Sequence, residues 1–157
     1  LADIEMGAEA AAPRLAEFLD HEDQSIRYGA LYALSHMWSA ARPAAEAPIR
    51  ALDDPVDANR QEAAYALGQI HACNCRPKGY SEARAVPKLT ELVSDTSVGV
   101  REYAVYALGW IGEDAAPALP VLLGALDITA ARSATTLPTR SATWRARQIA
   151  PPRSSPR

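Results

Sequence analysis

RYGALYAL at residues 27–34, RQEAAYAL at 60–67 and REYAVYAL at 101–108 are three copies of one string, R-x-x-A-x-Y-A-L. A unit that recurs every few tens of residues is the signature of a stacked repeat. Around the string, apolar residues fall at Ala30, Ala33, Leu34 and Met37, at Ala63, Ala66, Leu67 and Ile70, and at Ala104, Ala107, Leu108 and Ile111. That spacing of i, i+3, i+4 and i+7 is one face of an α-helix, with the arginine in its first turn.

Working outward, each such helix is preceded by a polar turn: DHEDQS at 20–25, DDPVDAN at 53–59 and SDTSVG at 94–99. Asp, Asn, Ser and Pro favour turns through side-chain to backbone bonds and a fixed φ. Before each turn lies a shorter apolar run that carries a proline near its start: Pro13 to Leu19, Pro48 to Leu52 and Pro87 to Val93. Proline is tolerated in a first helical turn, where its missing N–H would be unpaired anyway. Helix–turn–helix units of this length cannot bury their apolar faces alone, so they stack.

The expected fold is therefore all-α, a right-handed α-solenoid of antiparallel helix pairs with about three full repeats and partial ones at both ends. The solenoid spans 1–127: a partial repeat at 1–7 that reads as the end of a preceding second helix, repeats at about 8–42, 43–79 and 80–114, and the first helix of a fourth at 115–127. Arg27 and Arg60 are 33 residues apart, and Arg60 and Arg101 are 41 apart. The extra residues fall in HACNCRPKGYSEA at 71–83, an expected loop insertion.

All 19 acidic residues and ten of the 16 Lys and Arg lie in 1–127, a net charge of −9, while 128–157 carries six arginines and no acid. An acidic body argues against nucleic-acid binding by the repeats. The basic segment 128–157 loses the repeat and reads as disordered, or as the product of a shifted reading frame near Asp127. Trp144 beside Arg145 and Arg147 is read as part of that filler. The chain starts with Leu1 and shows no signal peptide and no long apolar run, so a piece of a longer cytoplasmic protein, not membrane-bound, is expected. Two cysteines make no disulfide framework. Apolar faces left open at the ends predict self-association.

The pattern A-x-P-x-L, a polar turn, then V-R-x-x-A-x-x-A-L-G-x-I-G resembles the HEAT-like repeats of the phycobilisome-lyase type. VREYAVYALGWIG at 100–112 matches best, and the first repeat departs at Ser35 and His36, where glycine is usual. The resemblance implies a scaffold that binds a partner protein on the concave side, which the second helices line. It equally implies two other roles: a bilin lyase or chromophore-chaperone subunit, or a structural spacer in a larger protein. Iron-dependent hydroxylase relatives hold metal with His-Glu pairs after the ladder arginine. The corresponding pairs here are Tyr28-Gly29, Gln61-Glu62 and Glu102-Tyr103, and His21-Glu22 lies in a turn, so that ligand set is missing.

The expected partner-binding face comprises Tyr28, Tyr32, Gln61, Tyr65, Glu102, Tyr106 and Trp110, with His36 and Gln69 on its flank. Tyrosine and tryptophan give large contact area at low entropic cost. The same rings can instead lean on the adjacent layer, and the two uses are compatible. Arg27, Arg60 and Arg101 form an expected structural ladder that pairs with turn carboxylates such as Asp20, Asp53, Asp54 or Asp95. Arg76, Lys78 and Tyr80 make the inserted loop a second candidate contact surface. His71, Cys73 and Cys75 are a weak metal candidate, because the spacing departs from the usual C-x2–4-C and no second ligand pair exists. No Ser/His/Asp order, Gly-rich phosphate loop or nucleophile elbow is present, so no catalytic residue, cofactor or metal is expected.

Overall fold

A computed structural model describes residues 2–72 and 83–125, all in helices and the turns that join them. By its internal contacts the chain divides into Leu1–Ala125 and Leu126–Arg157, and the second unit lies outside the described residues, as does the expected tail. The α-helices are α1 (Ala2–Glu17), α2 (Gln24–His36), α3 (Glu46–Ala51), α4 (Asp57–Ala72), α5 (Val86–Leu92) and α6 (Val98–Ile111). Short 3-10 segments lie between α1 and α2, between α2 and α3, before α5 and after α6, and residues 119–125 are again helical.

The second helices α2, α4 and α6 form one layer, in which α4 packs on both neighbours, while α3 and α5 pack against α4 and α6 respectively. The repeated apolar face is what this packing buries. Ala63, Ala66, Leu67, Ile70, Ala104, Ala107 and Ile111 are fully buried, and Leu108 nearly so. Ala33 and Met37 of the first copy are only half-buried, and Leu31, one residue off the expected stripe, is fully buried instead. The architecture is an all-α solenoid.

Three details depart from the sequence reading. Helix α1 runs unbroken from Ala2 to Glu17 with Pro13 inside it, so residues 2–7 and the start of the run from Pro13 belong to one helix. The alanine-rich flank of Pro13, with the highest helix propensity, carries the helix across the missing N–H. His71 lies in the last turn of α4 and is buried, so it is a helical residue and not part of the inserted loop. The second glycine position of the motif, Gly112 in the third repeat with φ 71°, is matched in the first by Trp38, which takes φ 52°, and not by His36. A helix commonly ends on such a left-handed residue, and glycine adopts it without a Cβ penalty.

The ladder arginines join the layers. Arg27 donates through Nε and Nη2 to Asp54 Oδ2 and Oδ1 at 2.7 and 3.1 Å, and through Nη1 to the carbonyls of His21 and Glu22 in its own turn at 2.9 and 3.0 Å. Arg60 repeats this with Asp95 at 3.0 and 3.1 Å, and with the carbonyls of Asp54 and Pro55 at 2.9 and 3.2 Å. Arg101 donates to the carbonyls of Asp95 and Thr96 at 2.8 and 3.0 Å. Each guanidinium thus holds its own turn with one arm and, at Arg27 and Arg60, grips the next turn's carboxylate with a two-pronged fork, the strongest geometry for such a pair.

The accepting aspartates are fixed by their own turns. Asp54 Oδ1 accepts from the Val56 amide at 2.9 Å, and Asp95 Oδ1 from the Ser97 amide at 2.8 Å. At the same place in the first turn stands His21, whose Nδ1 accepts from the Asp23 amide at 3.0 Å. Asp20 and Asp53 sit outside this register: Asp20 pairs with Arg50 at 3.6 Å, and Asp53 pairs with Lys88.

Both ladder carboxyls lie below the ordinary aspartate range. At Asp95 the hydrogen bond from Arg60 lowers it against some burial. At Asp54 burial pushes upward, but the bonds from Arg27, the Val56 amide and Asn59 together outweigh it. A carboxyl that binds its proton more weakly in the folded chain contributes stability that is complete above the ordinary aspartate pKa and is lost as pH falls through the folded value. The urea midpoint is therefore expected to fall as pH drops below about 4. Asp95→Asn is expected to lower the neutral-pH midpoint and to flatten the acid limb, and equal acid limbs for the two proteins would contradict the assignment.

Candidate functional site

The exposed face of α2, α4 and α6 carries the aromatic residues. Tyr28 and Tyr32 lie one turn apart on α2 with rings stacked at 6.5 Å, and Tyr32 lies 4.2 Å from the His36 ring. Their exposures are 40% and 51%. Tyr65 on α4 and Tyr106 on α6 are half-buried, because their rings meet across the layer boundary at 6.0 Å. Trp110 continues the row, 6.1 Å from Tyr106 and exposed. Gln61 is half-buried and Glu102 exposed. The seven residues thus split into an open α2 group and an interlocked α4–α6 group.

The interlocked group is held by one amide. Gln69 donates through Nε2 to the Tyr65 hydroxyl at 2.7 Å and accepts from the Tyr106 hydroxyl through Oε1 at 3.1 Å. Tyr103, which the sequence singles out only within the pair Glu102-Tyr103, meets Tyr65 edge-on at 5.2 Å and Tyr106 at 6.2 Å. The contact exists because Gly68 leaves room for it: a Cβ there would stand 2.6 Å from Tyr106 Cε1. Gly109, one repeat on, has open space where a Cβ would stand.

The α2 group sits beside a buried acid that the sequence reading noted only within a pair. Glu62 is 8% exposed, and its Oε1 accepts from Ser35 Oγ at 3.0 Å. Burial raises the Glu62 carboxyl above its ordinary value; the Ser35 hydrogen bond, the nearby His36 and the Tyr28 hydroxyl pull it back only in part. Glu62 lies two residues after its ladder arginine, where the neighbouring repeats have Gly29 and Tyr103. The position reaches back to the preceding helix: Tyr103 to Tyr65, Glu62 to Ser35. Because three different residue types occupy it, repetition alone gave no signal.

Of the other expected sites, Arg76, Lys78, Tyr80, Cys73 and Cys75 lie outside the described residues. Among the described residues no group of three or more His, Cys, Asp or Glu is placed to hold a metal. A cleft of about 320 Å³ at the turn edge, lined by His21, Arg27, Arg50, Asp53 and Asp54 among others, is built from the ladder itself. No helix among the described residues is long and apolar enough to cross a membrane.

A family model described as HEAT repeats matches residues 45–136. The chain is 29% identical over 118 residues to mouse serine/threonine-protein kinase 36, a match that spans 69% of this chain and 9% of that protein. Among solved structures it is similar to an engineered protein of the Northeast Structural Genomics Consortium, with a TM-score of 0.55, 22% identity, and coverage of 74% of this chain and 51% of that one. It is also similar to a designed armadillo repeat protein in complex with a (KR)4 peptide, with a TM-score of 0.55, 19% identity, and coverage of 88% and 62%. At these identities the two structures bear on the fold alone.

Two stability outcomes follow from this geometry. Gly68→Ala is expected to destabilise by roughly 1–3 kcal/mol, since the Tyr106 ring must move, whereas Gly109→Ala is expected to gain up to about 1 kcal/mol from helix propensity. Urea unfolding of the two variants is expected to give opposite signs. Glu62→Gln removes a buried charge and keeps the acceptor for Ser35, so at pH 7 its urea midpoint is expected to be no lower than that of the parent; a marked drop would show the charge to be needed by the fold.

Proposed function

The chain belongs to the HEAT repeat family, and from that premise we propose that it is a non-catalytic module that binds a partner protein on the Tyr-lined face of its second helices. The observation that carries this is the exposure of Tyr28 and Tyr32, beside Trp110 and Glu102 on the same layer. Aromatic rings left largely in water in a well-packed solenoid contribute little to its core. Set in a partner's surface, each can contribute about 2 kcal/mol or more. The interlocked Tyr65, Tyr103 and Tyr106 form the floor that keeps this face rigid, so binding needs little rearrangement.

The test is affinity capture with the whole chain immobilised, comparing the parent with Tyr28→Ala/Tyr32→Ala. Both rings are exposed, so the variant is expected to keep its helicity by circular dichroism. A protein retained by the parent and lost by the variant supports the reading, and equal retention contradicts it.

A further inference from the structure

We propose that the junction of α2 and α4 seats the guanidinium or ammonium group of a partner's arginine or lysine on the Glu62 carboxylate, with the Tyr28 ring beside it. This rests on the Tyr-face reading above and adds the chemistry of the occupant.

Three observations carry it. The first is an unmatched charge. The ladder carboxylates Asp54 and Asp95, similarly buried, are each gripped by an arginine fork. Glu62 is more than nine-tenths buried, yet no Lys or Arg among the described residues pairs with it. A carboxylate removed from water is stabilised by an opposite charge or by several donors.

The second is a shortage of donors. Ser35 Oγ lies 3.0 Å from Glu62 Oε1, 2.8 Å from the Tyr32 carbonyl and 3.1 Å from His36 Nδ1, but it has a single proton. His36 Nδ1 is 2.8 Å from the same Tyr32 carbonyl. With the imidazole proton on Nδ1 donated to that carbonyl, the Ser35 proton is free for Glu62. With the Tyr28 hydroxyl, which also hydrogen-bonds to it, Glu62 thereby has two donors, where a carboxylate has about four lone-pair sites to satisfy.

The third is charge complementarity beside aromatic faces. Residues 1–127 carry a net charge of −9. The ladder guanidiniums Arg27, Arg60 and Arg101 are turned to the turn carbonyls. Tyr28, whose hydroxyl bonds to Glu62, presents an exposed ring next to the acid and stacks on the exposed Tyr32 ring, and a cation over such a ring is attracted by its quadrupole. Guanidinium supplies the forked donors a carboxylate accepts best and stacks on aromatic faces as well.

The test uses two labelled octapeptides, one alternating arginine and alanine, the other with citrulline in place of each arginine, read by fluorescence anisotropy on the full chain. The arginine peptide is expected to bind at least about tenfold more tightly than the citrulline peptide, and Glu62→Gln to erase that difference, as loss of a partly desolvated charge pair should. Glu102→Gln, an exposed carboxylate on α6, is expected to change affinity far less. Equal binding of the two peptides, with loss in Tyr32→Ala, would overturn the cation seat and leave the Tyr-face reading standing. Equal loss in Glu62→Gln and Glu102→Gln would reduce the effect to diffuse charge and overturn it. No binding of the arginine peptide would overturn it as well.

Discussion

The forked Arg–Asp link between successive turns is the constraint on which the rest of this structure depends. A solenoid has no contacts between distant parts of the chain to fix its geometry, so each layer must be set on the last by nearest-neighbour interactions. Arg27–Asp54 and Arg60–Asp95 do this at one edge, where both charges are largely withdrawn from water. Apolar packing between α2, α4 and α6 supplies adhesion without direction, and the fork supplies the register. The link also tolerates a change of length: Asp54 follows Arg27 by 27 residues and Asp95 follows Arg60 by 35, yet the two forks have the same geometry.

With the turns registered, the exposed face of the second helices is determined. Positions one and five residues after each ladder arginine face outward, and the position two after it reaches back to the preceding helix. Filling that last position with tyrosine interlocks Tyr103 with Tyr65. Filling it with glutamate leaves a buried carboxylate beside Ser35 and Tyr28. One repeat position therefore divides the face into an interlocked aromatic floor and a site with a buried acid, and the functional proposals depend on that division.

Much of this was legible in the sequence because the repeat states it three times. The string R-x-x-A-x-Y-A-L gave the second helices, the buried Ala–Leu stripe and the arginines that meet turn carboxylates. What was not legible is what repetition does not encode. The spacing could not choose among Asp53, Asp54 and their neighbours, since that depends on which carboxylate the turn amides hold toward the arginine. Pro13 reads as a helix start, yet the surrounding alanines carry α1 through it. His71 reads as loop because the insertion begins beside it, but α4 extends to Ala72. Glu62 carries no periodic signal, and only its burial against Ser35 marks it.

A double-mutant cycle on Arg60 and Asp95, with Arg60→Ala, Asp95→Ala and the pair measured by urea unfolding at neutral pH, tests the central claim most directly. The account predicts that the two single losses are not additive and that the coupling energy is about 1–3 kcal/mol. Additive losses, with coupling near zero, would show that the forks decorate the turns and that apolar packing alone sets the register of the layers.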